Sequence, residues 1–141
     1  MKQLKFGIAG YGKMGKIREI SILESNDAKL ISIYDITSPK SHNNGIIFCD
    51  SYEKLLKTDI DAVIVSAYVS VAAEYVIRAL NAGKHVFCEK PPSITSKEMS
   101  EVIEVEKRTG KVLKYGFNHR FHYSVMEAKK IINDGSLGKM L

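Results

Sequence analysis

Short apolar runs alternate along the chain with segments whose apolar residues recur every three or four positions. The first pattern is typical of buried strands and the second of helices packed on one face. The runs predicted as strands are Leu4–Ala9, Leu30–Tyr34, Ile46–Cys49, Ala62–Ser66, His85–Cys88 and Val112–Phe117. Because strands and helices alternate, the pattern predicts an α/β fold, a doubly wound, mostly parallel sheet with helices on both faces.

Helix boundaries are indicated by capping residues at the start and by glycine at the end. A hydroxyl residue three positions before glutamate is typical of a capping box, and glycine accepts the left-handed conformation that ends many helices. The predicted start and stop signals are Ser70 with Gly83, Thr95 and Glu98 with Gly110, and Ser124 and Glu127 with Gly135. Another helical pattern runs through Met14, Ile17, Ile20 and Leu23.

Composition and charge favour a folded domain. The chain has 141 residues, of which 45% are hydrophobic and 26% charged, so we expect one globular unit. The net charge of +5 is spread among acidic residues without a basic run, so nucleic-acid binding is not expected. The start resembles no signal peptide and no apolar stretch is long enough to cross a membrane, which predicts a cytoplasmic protein without membrane contact.

Cysteine and histidine positions suggest no metal chemistry. Cys49 and Cys88 lack CxxC spacing and end apolar runs, so we expect buried thiols in a reducing compartment. The histidines have no metal-like partners in the sequence. They are His42, His85, His119 and His122. No metal site is predicted.

The first apolar run is followed directly by a G-x-G-x-x-G motif that opens a helical pattern, Gly10-Tyr11-Gly12-Lys13-Met14-Gly15. Gly10 allows a tight turn, Gly12 lets a pyrophosphate approach the backbone, and Gly15 lets helix and strand pack closely. The anion would rest on free N–H groups at the positive end of the helix. The motif therefore predicts a dinucleotide site on a Rossmann sheet.

Asp35 ends the second run, about 20 positions beyond Gly15, which is the spacing expected for an acid that binds the adenosine ribose. A carboxylate at this place accepts hydrogen bonds from ribose hydroxyls and repels a 2′-phosphate, which favours NAD over NADP. The alternative is that Asp35 caps a helix or turn. Lys40 nearby would restore some NADP binding.

Glu89 and Lys90 directly follow the fifth run, where strand ends face the ligand crevice of an open sheet. A lysine there can relay a proton or hold a substrate oxygen. The segment Gly83-Lys84-His85-Val86-Phe87-Cys88-Glu89-Lys90-Pro91 resembles the Gfo/Idh/MocA oxidoreductases, in which the lysine lies at the active site. The resemblance covers essentially the whole chain, including Tyr115-Gly116-Phe117-Asn118-His119-Arg120-Phe121.

The resemblance implies a role for each candidate residue, with Lys90 as the catalytic one. The glycine turn would hold the pyrophosphate, Asp35 the adenosine ribose, and the strand ends the nicotinamide side. The predicted cofactor-binding residues are Gly10, Gly12, Lys13, Met14, Gly15, Asp35, Ser66, Ala67, Tyr68, Glu89, Lys90, Asn118 and Arg120. The last two border the domain junction in the family.

The turn after the fourth run departs from the family. In place of a Thr-Pro-Asn-like turn and a helix-starting histidine, this chain has Ala67-Tyr68-Val69 and then Ala72. Cofactor affinity or pose is therefore expected to differ. Tyr68 is a hypothetical stacking partner for the nicotinamide.

By the resemblance, residues 1–121 form an NAD(P)-binding Rossmann domain, and residues 122–141 form a linking helix and the start of a truncated substrate domain. The implied function is hydride transfer between NAD and a carbinol carbon of a sugar, cyclitol or related metabolite. The family's second domain supplies the main acid and base groups, so this chain is expected to bind NAD but turn over little. A non-catalytic dinucleotide-binding module and a truncated gene product stay open, as does a homo-oligomer formed through Ile131 and Ile132.

Overall fold

The computed structural model describes residues 3–37 and 45–139 and contains one six-stranded sheet. All adjacent strands pair in parallel, in the order β3-β2-β1-β4-β5-β6. The strands are β1 (Leu4–Ala9), β2 (Ala28–Tyr34), β3 (Ile47–Cys49), β4 (Ala62–Val65), β5 (His85–Cys88) and β6 (Leu113–Tyr115). The predicted doubly wound α/β fold is confirmed. Lys40 and His42 lie outside the described residues.

Helices connect β1 to β2 and each strand from β3 to β6 to the next, as the pattern predicted. They are α1 (Lys13–Leu23), α2 (Tyr52–Lys57), α3 (Val69–Asn81), α4 (Ser96–Thr109) and α5 (Tyr123–Asn133), with a 3-10 turn at Asn118–Phe121. The helix α2 was not predicted. It begins where the hydroxyl of Ser51 accepts a hydrogen bond from the backbone N–H of Lys54, at 3.2 Å.

Successive strand residues point to opposite faces of the sheet, which gives two apolar layers. Ile8 and Ile64 are buried with Ile22 of α1 on one face. Val63 and Val65 are buried on the other face with residues of α3 and α4. Helices therefore cover both faces, and the carboxyl ends of the central strands stay free to form a site.

Several predicted strand boundaries are wrong by one or two residues. β2 begins earlier, at Ala28, β3 begins at Ile47, and β4 ends at Val65. β6 ends at Tyr115 rather than Phe117, because the backbone N–H of Phe117 donates to the carbonyl of Tyr115 at 2.8 Å and turns the chain.

Two predicted helix starts are also wrong. α3 has Tyr68 as its N-cap, so Ser70 lies within the first turn. α5 has His122 as its N-cap, and Ser124 likewise lies within the helix. The reason in α5 is that the backbone N–H of Met126 already donates to the His122 carbonyl at 3.0 Å.

The start of α4 is a complete capping box, as predicted. The Thr95 hydroxyl accepts a hydrogen bond from the Glu98 N–H, and the Glu98 carboxylate accepts one from the Thr95 N–H. Backbone hydrogen bonds from Thr95 and Ile94 lower the pKa of Glu98. The box therefore contributes stability at neutral pH that is lost as the pH falls through this lowered pKa.

We expect Thr95→Ala to lower the free energy of unfolding by about 1 kcal/mol, because the N-terminal N–H groups of α4 lose their side-chain acceptor. Urea denaturation at pH 7 measures the change. Ser100→Ala is the matched control, since this exposed hydroxyl lies inside the same helix and bonds only the Ser96 carbonyl among the described residues. Equal midpoints for Thr95→Ala and wild type would contradict the prediction.

The cysteines lie in the core as free, buried thiols, as predicted. Burial raises the pKa of Cys88 to about 12, with a smaller contribution from Glu89. The helices of the described part of the chain include none long and apolar enough to cross a membrane. Within residues 3–37 and 45–139, no cluster of three or more His, Cys, Asp and Glu side chains has the arrangement of a metal site.

The last helix carries apolar side chains on its surface. Val125, Met126 and Ile132 are exposed, and Ile131 is half-buried. α5 contacts the preceding 3-10 turn. The division of the chain at residues 121 and 122 stays a prediction.

Candidate functional site

A cleft of about 710 Å³ lies at the carboxyl ends of β1, β2 and β4. β1 leads through α1 to β2 on one side, whereas β4 leads through α3 to β5 on the other, so the cleft lies where the chain direction reverses. Ligands of open α/β sheets bind at this switch point. Its lining residues are Gly10, Tyr11, Gly12, Lys13, Met14, Lys16, Tyr34, Asp35, Ile36, Thr37, Ser66, Ala67, Tyr68, Val71 and Tyr75.

Two glycines of the turn, Gly10 and Gly15, each have a separate steric requirement. Gly10 has φ +91°, and a Cβ there would lie 2.5 Å from the backbone nitrogen of Ala67. A Cβ on Gly15 would lie under 3.0 Å from the Gly10 carbonyl oxygen. The same oxygen accepts a hydrogen bond from the Ser66 hydroxyl at 2.6 Å, which ties the turn to the end of β4.

Gly12 differs from the other two because it faces open space. A Cβ built on Gly12 would have no heavy atom within 4 Å. The residue is the N-cap of α1 and provides no side-chain cap, so the first N–H groups of the helix have no acceptor of that kind. Lys13 and Lys16 also line the cleft and add positive charge. This end of the cleft is suited to an anion.

Asp35 lines the same cleft at the end of β2, and two backbone donors hold its carboxylate. The Tyr11 N–H donates to Oδ2 at 2.5 Å, and the Thr37 N–H donates to Oδ1 at 2.8 Å. The second of these bonds is the local turn cap that was the alternative interpretation of Asp35. Because a carboxylate oxygen accepts more than one hydrogen bond, the capped side chain retains acceptor capacity toward the cleft.

Tyrosine side chains form the floor of the Asp35 end, which sequence reasoning did not identify as part of the site. Tyr34 and Tyr75 line the cleft, with their hydroxyl oxygens 3.4 Å apart. Behind them, Tyr52 stacks on Tyr75 with ring centroids 4.1 Å apart. Burial, followed by the hydrogen bond to Tyr34, raises the pKa of Tyr75, so the Tyr75 side chain is neutral at physiological pH. Tyr34 directly precedes Asp35, which was the available sequence signal.

The side chain of Tyr11 also stabilises the glycine turn. The Tyr11 hydroxyl donates a hydrogen bond to the carboxylate of Glu19, which is buried in α1. Burial and this bond raise the pKa of Tyr11. The turn residue between Gly10 and Gly12 is therefore anchored through its side chain as well as through its bond to Asp35.

The structure places the remaining predicted residues outside this cleft. Glu89 follows β5 and pairs with Arg18, while Lys90 is exposed and joined to Pro91 by a cis peptide bond. Asn118 and Arg120 lie in the exposed 3-10 turn. The glycine turn, Asp35 and Ser66–Tyr68 are thus brought together, whereas the EKP segment lies at the neighbouring strand end.

Together, the strand order, the glycine turn and the acid after β2 define a dinucleotide-binding domain of the doubly wound α/β class. The family model described as the oxidoreductase family with an NAD-binding Rossmann fold matches residues 4–117. This chain belongs to the Gfo/Idh/MocA oxidoreductase family.

Similar proteins include enzymes that act on inositols. The chain is 34% identical over 143 residues to the uncharacterised oxidoreductase YrbE of Bacillus subtilis, covering 97% of this chain and 42% of that protein. The crystal structure of myo-inositol 2-dehydrogenase from Lactobacillus plantarum has TM-score 0.90 and 28% identity, with 99% of this chain and 44% of that chain covered. The structure of scyllo-inositol dehydrogenase from Lactobacillus casei with NAD(H) and scyllo-inositol has TM-score 0.88 and 29% identity, with 98% and 43% covered. The chain therefore spans less than half the length of these relatives.

Proposed function

We propose that this chain binds NAD(H) in the cleft described above. The adenosine would occupy the Asp35 end, the pyrophosphate would rest on the start of α1, and the nicotinamide would extend toward the ends of β4 and β5. Two features fit such a ligand, the open backbone at Gly12 and the uncapped helix start. The aromatic surface formed by Tyr34 and Tyr75 suits an adenine ring.

The geometry of Asp35 carries the proposal. Its carboxylate lines the cleft at the end of β2 and is oriented by the N–H groups of Tyr11 and Thr37. A carboxylate held in this way can accept hydrogen bonds from vicinal ribose hydroxyls, whereas a 2′-phosphate would meet a like charge. We therefore assign NAD rather than NADP as the preferred cofactor.

The reaction of the whole protein would be hydride transfer involving a carbinol carbon of a sugar, cyclitol or related metabolite. Bound NAD supplies the hydride acceptor. Lys90, at the end of β5, would hold the substrate oxygen or move its proton. Support for a polyol substrate comes from the two inositol dehydrogenases of similar structure. A cytoplasmic location belongs to the same proposal.

A titration with NADH and NADPH, followed by nicotinamide fluorescence, tests the cofactor assignment. We expect saturable binding that is tighter for NADH, and a loss of at least about tenfold in NADH affinity in Asp35→Ala, roughly 1.4 kcal/mol. NADPH affinity should fall less or rise, because the variant also removes the like charge. The ratio of the two affinities is decisive, since a disturbed turn alone would weaken both ligands equally.

Asp27→Ala is the matched control for this titration. Asp27 is exposed and its carbonyl accepts a hydrogen bond from the Leu4 N–H, at the opposite end of β1 from the cleft. The variant removes the same charge and should bind both nucleotides as wild type does. Tighter binding of NADPH by the wild-type chain would contradict the assignment.

A second candidate is a dinucleotide-binding module without catalytic activity. The observation in its favour is that Lys90 is exposed and does not line the cleft among the described residues. Reduction of NAD in the presence of inositols, measured at 340 nm, would separate the two candidates. Turnover that is lost in Lys90→Ala supports the oxidoreductase, and binding without turnover by the whole protein supports the module.

A further inference from the structure

A partly buried ion pair joins α1 to the end of β5, outside the cleft. The Nε of Arg18 donates to Oε1 of Glu89 at 2.7 Å, and Nη2 lies 2.5 Å from the same oxygen. The two side chains are only 18% and 11% exposed. This contact links the helix that follows the glycine turn to the residue directly before Lys90.

The pair is tightly enclosed on its other sides. The guanidinium of Arg18 lies over the ring of Phe87, with Cζ 4.8 Å from the centroid. A Cβ on Gly116 would lie 2.6 Å from Oε2 of Glu89, so the backbone after β6 closes against the carboxylate. Three elements, α1, β5 and the turn after β6, therefore converge on one carboxylate.

Folding stability is a weak explanation for this arrangement. Removing two charges from water costs about as much as their attraction returns, so a buried pair adds little net stability compared with apolar side chains. Here Nη2 is buried and, within the described part of the chain, has no hydrogen-bond acceptor of suitable geometry, which adds to the cost. What the pair provides is a fixed orientation of Glu89.

A fixed Glu89 also fixes the path of the chain into Lys90. The Glu89 N–H donates to the Val65 carbonyl at 2.8 Å, and the Gly116 N–H donates to the Cys88 carbonyl at 2.8 Å. These bonds hold the backbone as far as Glu89, and the ion pair holds its side chain on the α1 side of the sheet. The direction in which Lys90 leaves β5 is set at this point.

We propose that Arg18 is a positioning residue for the nicotinamide half of the site, acting through Glu89 on the Glu89–Lys90 turn. The inference rests on the proposed function, because it requires the nicotinamide to lie toward the ends of β4 and β5. We assign Arg18 no direct contact with the ligand, because it does not line the cleft and its guanidinium is held against Glu89 and Phe87. The adenosine half, built on Asp35 and the glycine turn, does not depend on the pair.

Calorimetric titration with NADH and with ADP-ribose, which lacks the nicotinamide, separates the two halves. We expect Arg18→Met to weaken NADH binding by about tenfold. A change of this size corresponds to the interaction energies measured between side chains in direct contact. ADP-ribose affinity should change less than about twofold. Arg18→Lys, which keeps one charged donor, should restore part of the NADH affinity, and Arg108→Met on the exposed surface of α4 is the matched control.

A double variant makes the test independent of a misfolded single variant. Arg18→Met leaves a carboxylate buried without its partner, whereas Arg18→Met with Glu89→Gln removes both charges and should fold more readily. We expect the double variant to lose no more NADH affinity than either single variant, because both act on the same turn. Additive losses would overturn the proposal.

The outcomes for the inference and for the proposed function are distinct. If the wild-type chain binds neither ligand, both the proposed function and the inference are contradicted. Wild-type chain that binds both, with Arg18→Met weakening both equally or neither, overturns the role of Arg18 alone. Wild-type chain that binds NADH no more tightly than ADP-ribose also overturns it. A selective loss of NADH affinity supports it.

Discussion

An alanine at position 12 should leave the domain folded and lower its affinity for NADH by at least about tenfold, roughly 1.4 kcal/mol. A Cβ at Gly12 meets no protein atom within 4 Å, and the residue has φ −74°, which alanine adopts without strain. The methyl group would instead occupy the space through which a pyrophosphate approaches the N–H groups of α1. The expected loss of affinity thus comes from a clash with the ligand and not from a clash within the protein.

Two measurements separate this effect from a folding defect. The thermal midpoint of Gly12→Ala should stay near that of wild type, with at most about 1 kcal/mol lost from the helix start. Fluorescence titration should show the loss for both NADH and NADPH, since both carry the pyrophosphate. Gly110→Ala, at the end of α4 and away from the cleft, should bind both nucleotides as wild type does. Unchanged affinity in Gly12→Ala would mean that no pyrophosphate rests on this turn.

The centre of the sheet could be predicted from sequence because its central strand β4 is buried on both faces. All residues of β4, Ala62–Val65, are buried, so the strand forms an uninterrupted apolar run. The capping box of α4 was equally readable, since Thr95 and Glu98 satisfy each other locally. The start of α5 could not be predicted in this way. Backbone hydrogen bonds to the His122 carbonyl define it, and Ser124, which has the sequence pattern of a cap, lies inside the helix.

The buried face of α1 shows where periodicity gives the wrong result. The apolar pattern predicted the helix, yet Ile17, Ile20 and Leu23 are 40%, 55% and 59% exposed, while Glu19 is buried. The reason is that Gly15 must face the turn to allow its close packing, and residues four and seven positions later share that face. A steric requirement of the glycine turn therefore sets the rotation of the whole helix.

Some parts of the candidate site could be predicted from the sequence, and others could not. The glycine turn and Asp35 could be predicted because they are close to each other in sequence and obey a fixed spacing. The contact between Arg18 and Glu89 joins residues far apart in the chain, so no local pattern indicated it. The tyrosine floor also depends on the packing of α2 and α3 against β2, which only the folded chain brings together.

An alanine at position 10 should destabilise the domain by about 3 kcal/mol or more, enough to lower the melting temperature by roughly 10 °C. Gly10 combines a positive φ with a clash against the backbone of Ala67, just beyond the end of β4. Gly110→Ala isolates the cost of a positive φ, +62°, because its Cβ would meet nothing within 4 Å. Gly15→Ala isolates the steric cost, because that residue lies in α1 and its Cβ would meet the Gly10 carbonyl.

The order of the three variants in thermal denaturation is the informative result. We expect Gly110→Ala to lose about 1 kcal/mol, consistent with the cost of a left-handed backbone for a residue with a Cβ, and Gly10→Ala to lose the most. Gly15→Ala should fall between them, because its Cβ would clash with the Gly10 carbonyl oxygen whereas its backbone has no positive φ. Because Gly10 and Gly15 face each other across one carbonyl, the double variant should lose less than the sum of the singles. A Gly10→Ala variant as stable as Gly110→Ala would show that the turn can open without cost to the fold, and that its tight geometry is not required for the sheet to form.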